Sequence, residues 1–294
     1  MTPSNPATIL HGQEENTDPQ LEASSTSKEV ASSSSLPSQP PETPQTSFIS
    51  RTKSHLLASV RPSALAEVEL LLLTFTTGLQ DAISFPDYHC FASNQTGNTV
   101  FLAVALIVPE FNGDMFFTPN IGVALGFFLA GGYLTGQLGH IVGPRQRLFL
   151  FLCNLIQTAM VFAAAALQRR FGVHQTGVMD LVAIGLLAFA SGSQVVQSRS
   201  LRITEITTAM ATAAWVDLLI DPHLFAVRQK NRPRNRRFFF LVALMGGSLV
   251  GAAIYKYAGS DVALFVSAGG KGLVTLLYLF NTSDNEKKVQ DSAV

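Results

Sequence analysis

Charged residues are scarce in this chain of 294 residues. They make up 14% of the sequence, whereas hydrophobic residues make up 47%. Soluble domains usually carry about 25% charged residues, so the deficit favours a membrane protein over a soluble enzyme or binding domain. Basic and acidic residues are equal in number, and the informative feature is that the basic residues collect at a few points between uncharged runs.

Cysteine and recognisable catalytic motifs are also rare or missing. The two cysteines, Cys90 and Cys153, match neither a zinc site nor a disulfide framework, so the redox compartment is undetermined. The six histidines are scattered without metal-ligand spacing, and the sequence has no G-x-S-x-G motif and no phosphate-binding glycine loop. We therefore predict no catalytic residues, no metal, no cofactor and no enzymatic activity.

The N-terminal 62 residues have almost no aromatic residues and no long apolar run. They are rich in Ser, Thr, Pro and Gln, including four consecutive serines from Ser32 to Ser35. Such a segment cannot bury enough apolar surface to offset the entropy of ordering it. The sequence predicts a disordered cytoplasmic tail over 1–62, a helical membrane domain over 63–282 and a short polar tail over 283–294.

Long stretches without formal charge are the strongest positive feature. A helix needs roughly 20 mostly apolar residues to cross a bilayer. Four segments qualify outright: 115–144, 148–168, 181–198 and 238–255. Two more qualify despite interior charges: 68–86, which contains Glu69 and Asp81, and 262–280, which contains Lys271. We expect Lys271 either to reach the membrane interface or to face the protein interior.

Two further segments, 94–109 and 206–216, are ambiguous, since each is either a thin crossing or a re-entrant half-helix. Short cytoplasmic loops accumulate Lys and Arg, and the basic run from Arg228 to Arg237 is the strongest such marker. With both segments re-entrant, the Arg145/Arg147 and Arg199/Arg202 loops also fall inside, and only Arg169 and Arg170 break the rule. Eight crossings would export those two loops. The sequence thus predicts an all-α polytopic membrane protein with about six helices, preferred over eight.

An internal repeat is suggested by two octets of the form L-x-G-G-x-L-x-G at 129–136 and 244–251. A second correspondence relates the stretch from Gly78 to Asp81 to the stretch from Gly192 to Val195, and a weaker one relates 96–97 to 207–209. Halves of about 63–172 and 176–282 with three crossings each would form an inverted repeat; with four crossings each they would be parallel. The octet glycines are predicted to be helix contacts: Gly131, Gly132, Gly136, Gly246, Gly247 and Gly251.

Polar stripes within the spans indicate a candidate solute path. Thr74, Thr77, Asp81 and Ser84 share a helix face, with Gln80 adjacent. The fifth span has Ser191, Gln194 and Ser198, and the fourth has Asn154 and Gln157 on one face. Because polar groups are costly against lipid, they should face one another or a wet cavity. An interhelical hydrogen-bond network and a solute path are equally compatible with these stripes.

Asp81 is the sharpest single candidate, since a carboxylate within a membrane must be paired or hydrated, or must bind a cation or proton. The segment Asn94, Gln95, Thr96, Gly97 and Asn98 precedes an apolar helix that Asn98 or Thr99 could cap. A free helix N-terminus there could hold an anion or a polar solute, although a simple capping turn needs no ligand. The predicted path also includes Thr208 in the second half.

The linked motifs at residues 78–85, with the pattern G-x-x-D-A-x-S-F, and 91–99, with the pattern F-x-x-x-x-T-G-N-T, resemble a known family. They are similar to the signature of the YoaK-like membrane proteins, domain-of-unknown-function family 1275. The resemblance extends more loosely to about Phe280 and leaves out the N-terminal tail, whose length resembles that of fungal members. Thr208 and Ala209 stand where the family often has a Thr-Gly pair. The resemblance implies about six helices and no known substrate.

Two functions remain open from the sequence: a transporter or permease-like carrier of a small polar or ionic solute, and a non-transporting membrane scaffold or assembly factor. An intramembrane enzyme is a third option. The predicted partners are the lipid bilayer and a small-molecule or ionic solute, and no nucleic acid is predicted. The sequence leaves open the membrane, the coupling ion and whether the chain forms homo-oligomers.

Overall fold

The computed structural model describes residues 48–227 and 230–281. Most of the predicted N-terminal tail, the C-terminal tail and Arg228 therefore lie outside the described residues. Within the described ranges the chain is helical and forms no strand, which confirms the predicted all-α polytopic fold. The helices are α1 Phe48–Leu57, α2 Ala64–Tyr88, α3 Gln95–Ile107, α4 Thr118–Val142, α5 Arg147–Phe171, α6 Val178–Ser200, α7 Ala211–Leu219, α8 Arg232–Ala258 and α9 Ser260–Leu277. Short 3₁₀ turns follow at Pro109–Phe111 and Tyr278–Phe280.

Among the described residues, five helices are long and apolar enough to cross a membrane, namely α4, α5, α6, α8 and the segment Ser260–Phe280 that contains α9. Helix α2 has 25 residues and is therefore long enough, but its buried polar side chains make it less apolar. At about 1.5 Å per residue, α3 and α7 reach only about 20 Å and about 14 Å, less than the roughly 30 Å of a hydrocarbon layer. Their lengths favour half-helices over crossings.

One end of the bundle collects the basic loops, and we call it the basic end. There the amide of Val60 donates to the carbonyl of Arg145 over 2.8 Å, and the Arg147 guanidinium donates to the carbonyl of Asn281. Arg236 pairs with Glu67 at 2.7 Å and with Glu205 at 3.2 Å. The starts of α2, α5 and α8 and the ends of α6 and α9 thus share one end.

The opposite end is held by contacts between the other helix ends. The side-chain amide of Asn120, in the first turn of α4, donates to the carbonyls of Tyr88 and Gln175 over 2.9 and 2.7 Å. Arg169 near the end of α5 pairs with Asp261 at the start of α9 over 3.1 Å. Arg169 and Arg170 therefore lie away from the basic end.

The interior of the bundle is polar and its exterior is apolar. Several large apolar side chains are at least 60% exposed, namely those of Leu129, Tyr133, Ile141 and Leu249. In the most apolar stretches of α4 and α8 only 22% of the residues are buried, against 67% in α6. Gln80, Asn154, Gln157, Gln194 and Lys271 are fully or almost fully buried. Water would penalise such a surface, whereas hydrocarbon accepts it and requires polar groups to be satisfied internally. This inside-out distribution is that of a membrane protein.

Helix pairs α2/α8 and α4/α6 make the most extensive contacts, and glycines permit them. Between α2 and α8, a Cβ added at Gly78 would overlap the carbonyl oxygen of Leu244, and one added at Gly247 would overlap that of Phe75. Between α4 and α6, a Cβ added at Gly192 would overlap the carbonyl oxygen of Phe128, and one added at Gly131 would overlap that of Phe189. Gly251 lies similarly close to the backbone of Leu79. The other octet glycines, Gly132, Gly136 and Gly246, have only ordinary van der Waals neighbours at 3.6–3.9 Å.

Three local features differ from the sequence predictions. Residues 48–57, assigned to the disordered tail, form α1, and the following Val60 is buried. Helix α8 begins at Arg232, whereas the predicted segment begins at 238. The prediction included only uncharged residues, and the arginines at the membrane interface belong to the same helix. Helix α3 is capped by Asn94, whose side chain accepts from the amide of Gly97, and not by Asn98 or Thr99.

Candidate functional site

A fully buried lysine lies near the middle of α9. Lys271 has 0% exposure, and its amine donates to the side-chain oxygens of Gln157 over 3.3 Å and of Gln194. Within the described residues it forms no salt bridge with a carboxylate. The amine is thus held by neutral amides from α5 and α6, in a part of the protein where an isolated charge is costly.

Amide and hydroxyl groups extend from this amine across four helices. Gln157 donates to Ser193 over 3.0 Å and to Gln197 over 2.8 Å, and Gln194 donates to Thr77 over 2.8 Å. Ser193 also accepts from Thr135 of α4 over 2.7 Å. We call these residues with Lys271, Gln80, Asn154 and Ser267 the polar core.

The polar core continues on the α9 side. Gln80 donates to the hydroxyl of Ser267 over 2.7 Å, and Asn154 donates to the Lys271 carbonyl over 2.9 Å and to Thr275 over 2.8 Å. These groups are all buried. The continuous network shows that side chains separated by up to 187 positions converge on one region.

Helix α2 carries a buried polar stripe that runs through this region. Glu69, Thr76, Gln80, Ser84 and Asp87 follow helical spacing and share one face. At about 1.5 Å per residue, Glu69 and Asp87 lie about 27 Å apart along the axis, close to the thickness of the hydrocarbon layer. Each end of the stripe therefore carries a buried carboxylate: Glu69 accepts two hydrogen bonds from Asn281, and Asp87 accepts one from Gln168.

Asp81 lies off this stripe and faces the chain before α3. Its carboxylate accepts from the Ser93 amide over 3.0 Å and from the Ser93 hydroxyl. The neighbouring Ser84 hydroxyl accepts from the Ala92 amide over 3.2 Å. The two side chains hold the turn that begins α3 against α2, so Asp81 has a local structural partner in this conformation.

The predicted path residues 94–98 form the N-cap and first turn of α3. Asn98 is buried; it accepts from the amide of Phe91 over 2.9 Å and donates to its carbonyl over 2.7 Å. Gln95 donates to the carbonyl of Ala92 over 3.1 Å, while Asn94 and Thr96 are exposed. A Cβ at Gly97 would lie 3.2 Å from the Phe91 ring, so the glycine allows the turn to pack closely.

The corresponding turn before α7 contains Thr208, which is buried and has a positive φ of 63°. Its hydroxyl has no hydrogen-bond partner among the described residues. The Thr207 hydroxyl accepts from the amide of Met210 over 3.2 Å and so closes the turn that leads into α7, a helix that has no side-chain cap. Of the ten predicted path residues, Thr77, Gln80 and Gln194 join the polar core, whereas Asp81 and 94–98 form the α3 turn and Thr208 the α7 turn.

Clefts open near both ends of the bundle. A cleft of about 340 Å³ at the opposite end is lined by Pro86, Asp87, Val173, His174, Gln175 and Tyr255. A smaller one of about 160 Å³ at the basic end includes Glu67, Arg232 and Arg236. Lys271 is exposed to neither, so the polar core is enclosed in this conformation.

Sequence reasoning missed Lys271 and Ser193 as members of the site, and it placed Gln157 on a polar helix face without including it among the path residues. The sequence did not determine whether Lys271 faces the protein interior, because a lysine within a span can also extend its amine to the membrane interface. Its neighbours offered a signal, since three glycines flank it in the stretch Gly269-Gly270-Lys271-Gly272. Gly270 packs directly against Thr76 of α2, which turns that face of α9 inward.

The described residues contain no group of three or more His, Cys, Asp or Glu side chains placed to hold a metal ion. The polar core offers amides, hydroxyls and one amine. Such groups can bind and release a polar solute or hold helices together.

Comparison with known proteins gives one match. No curated protein and no solved structure matches the chain. A family model described as protein of unknown function DUF1275 matches residues 70–277, which span α2 to α9 and confirm the resemblance carried by the two motifs. The match covers most of the chain, and this protein therefore belongs to the DUF1275 family, whose function is unknown.

Proposed function

We propose that this protein is a carrier of a small polar or ionic solute and that the solute passes through the polar core. The observation that carries the proposal is the enclosed amine of Lys271, held by the amide oxygens of Gln157 and Gln194. Ionisable groups are expensive within a membrane and usually mark ion or solute paths. A protein that only needed to pack its helices would gain more from an apolar residue at this position.

The pairing of the helices supports an inverted repeat of two halves. In such a repeat α2 is equivalent to α6, and α8 is equivalent to α4. The packed pair α2/α8 of one half is then equivalent to the packed pair α6/α4, and these are the two most extensive helix contacts. The glycine contacts are equivalent in the same way. The contact of Gly78 with Leu244 corresponds to that of Gly192 with Phe128. The contact of Gly247 with Phe75 corresponds to that of Gly131 with Phe189. The short helices α3 and α7 are also equivalent. Transporters of this plan bind solute near the midplane between the two halves.

The same equivalence relates Gln80 to Gln194, both buried in the polar core. The equivalence of the helix contacts aligns Gly131 with Gly247. The alignment of the two sequence octets pairs Gly132 with Gly247 instead, so the two alignments differ by one residue. The enclosed core with a cleft toward each end is the arrangement expected of a carrier in a closed state. Solute would reach Lys271 when either half rocks against the other about the glycine crossings.

Charge at the two ends supports an orientation. The basic end carries Arg145, Arg147, Arg199 and the arginines of α8, whereas Arg169 and Arg170 lie opposite. Because basic loops are retained in the cytoplasm, we propose that the basic end is cytoplasmic. Six crossings place all the basic loops except Arg169 and Arg170 on that side.

A scaffold or assembly factor is the second candidate. It is favoured by the hydrogen bonds within the polar core, where Gln80, Gln157 and Gln194 each donate to a protein acceptor. Under this alternative the network fixes helix positions and never opens.

Flux through proteoliposomes separates the two functions. Purified protein is reconstituted, and uptake is measured for a panel of radiolabelled solutes comprising a sugar, a neutral amino acid, a polyamine, chloride and L-lactate. A carrier takes up at least one solute above empty liposomes, and Lys271→Met abolishes that uptake. The matched control is Lys256→Met, since Lys256 is exposed on α8. Asp81→Asn and Thr96→Ala test whether the α3 turn takes part.

Uptake equal to that of empty liposomes for every solute in the panel would favour the scaffold. So would a Lys271→Met variant that changes only thermal stability. A variant that folds, shown by a monodisperse elution profile, and yet loses uptake would support the carrier.

A further inference from the structure

We infer that the solute bound at Lys271 is a small monovalent anion, which enters together with one proton. This inference rests on the proposed function and names the substrate class of the same site. The geometry that carries it is a fully buried amine that donates hydrogen bonds to two neutral amide oxygens. Among the described residues it forms no salt bridge with a carboxylate.

The carboxylates nearest along the bundle are engaged elsewhere. Glu69 accepts two hydrogen bonds from Asn281, Asp81 is bound to Ser93, and Asp87 accepts from Gln168. The titratable or charged side chains inside the bundle on elements around Lys271 are Glu69, Asp81, Asp87 and Tyr88 of α2, Arg147 and Cys153 of α5, Asp180 of α6 and Tyr278 after α9. The structure gives Lys271 no ion pair with any of them.

The charge balance follows from this isolation. A positive charge alone in a water-excluded core is costly, so the empty site holds a neutral amine. When a proton and an anion arrive together, the amine becomes an ammonium and the anion supplies its counter-charge. One proton adds to Nζ, no covalent bond to carbon changes, and the loaded site is again neutral overall. Neither state moves net charge through the membrane.

The surroundings of Nζ suit a compact anion. Thr77 and Ser193 provide hydroxyls, and the Gln157 and Gln194 side chains each carry an amide donor. A small anion could replace the amide oxygens as acceptor of the ammonium protons when these side chains turn.

The mouth at the basic end carries paired charges. Its cleft is lined by Glu67, Arg232 and Arg236, and Arg236 also pairs with Glu205. The two guanidinium groups and the two carboxylates balance, so the preference for an anion comes from the enclosed amine.

Thermal unfolding of the full chain in detergent tests the inference. The midpoint Tm is measured in sodium chloride, nitrate, formate and L-lactate at equal ionic strength, with sodium gluconate as the bulky reference, at pH 6 and at pH 9. We expect at least one small anion to raise Tm by about 4 °C or more at pH 6, because a ligand that binds only the folded state stabilises it. The shift should shrink at pH 9, where the amine loses its proton.

Variants identify the site of binding. Lys271→Met should abolish the anion-dependent shift, Lys256→Met should leave it unchanged, and Lys271→Arg, which stays charged, should keep a shift at both pH values. If no anion raises the native Tm, or if the shift survives in Lys271→Met, the inference is overturned. Uptake of the sugar, the amino acid or the polyamine without any anion effect would leave the carrier proposal standing and refute only its substrate class.

Discussion

The Lys271 amine of α9 donates to the side-chain oxygen of Gln194 in α6, and the same amide donates to Thr77 of α2. One side chain thereby links three helices at the centre of the bundle. Since each of these groups is buried, the loss of one partner leaves another polar group without a hydrogen bond.

Replacing Gln194 by Leu should destabilise the protein by about 1–3 kcal/mol, the range expected when a buried polar partner is removed. The double variant Lys271→Met/Gln194→Leu should lose less than the sum of the single effects, because both members of the bond are then apolar. Unfolding in mixed micelles measures the three free energies. Simple additivity would show that the amine and the amide do not interact in the folded protein.

Asp81 should act through Ser93. Asp81→Ala and Ser93→Ala each remove part of one bonded pair between α2 and the α3 turn, and each should reduce stability by about 1–3 kcal/mol. The double variant should cost little more than Asp81→Ala alone. A hydrogen-exchange measurement should show faster exchange at 91–98 in both single variants.

An Asp81 variant that leaves exchange at these residues unchanged, yet abolishes solute uptake, would contradict the structural role. It would instead assign the carboxylate to the path.

The glycine crossings give a third prediction. Gly247→Ala and Gly131→Ala should each destabilise the protein by about 1–3 kcal/mol, since an added methyl group collides with a backbone carbonyl of the partner helix. Gly126→Ala is the control: it sits in the same helix as Gly131 with nothing within 4 Å of the added carbon. Alanine there should be neutral or stabilising by up to about 1 kcal/mol. Equal losses at 247 and 126 would argue against the crossings.

Side-specific labelling tests the arrangement of the ends. In a Cys90→Ala/Cys153→Ala background, single cysteines at Pro144, Thr204 and Lys230 should react with an impermeant maleimide from one side of the membrane. Cysteines at Asn112 and Thr176 should react from the other side. Labelling of 144 and 204 from the side opposite 230 would indicate eight crossings.

Much of the fold could be predicted because charge-free runs of membrane length have few alternatives in a soluble protein. The observed α4, α5 and α6 begin and end within a few residues of the predicted segments. Helix α8 was cut short by its arginines, and α1 was hidden in a polar tail, since composition alone does not register a short helix that docks on a larger body.

The site was only partly predictable, for a geometric reason. Gln194 and Thr77 were identified because polar residues within an apolar span stand out. The contacts of Lys271 with Gln157 and Gln194 were not predicted, because these amides approach the amine only after three helices pack. On α2 the sequence predicted one polar face that contains Asp81, with Gln80 adjacent to it. Only packing shows that Gln80 faces the core while Asp81 faces the turn before α3.

Aqueous access to the polar core tests the account most directly. Ser193→Cys, in a background lacking the two native cysteines, places a thiol beside Gln157 and Thr135, where Ser193 is 4% exposed. We predict that a small charged methanethiosulfonate modifies this thiol from either side of the membrane while Ala188→Cys, equally buried among apolar residues of α6, stays unreactive. If position 193 reacts no faster than position 188 in the folded protein, the polar core never opens and the carrier account is contradicted.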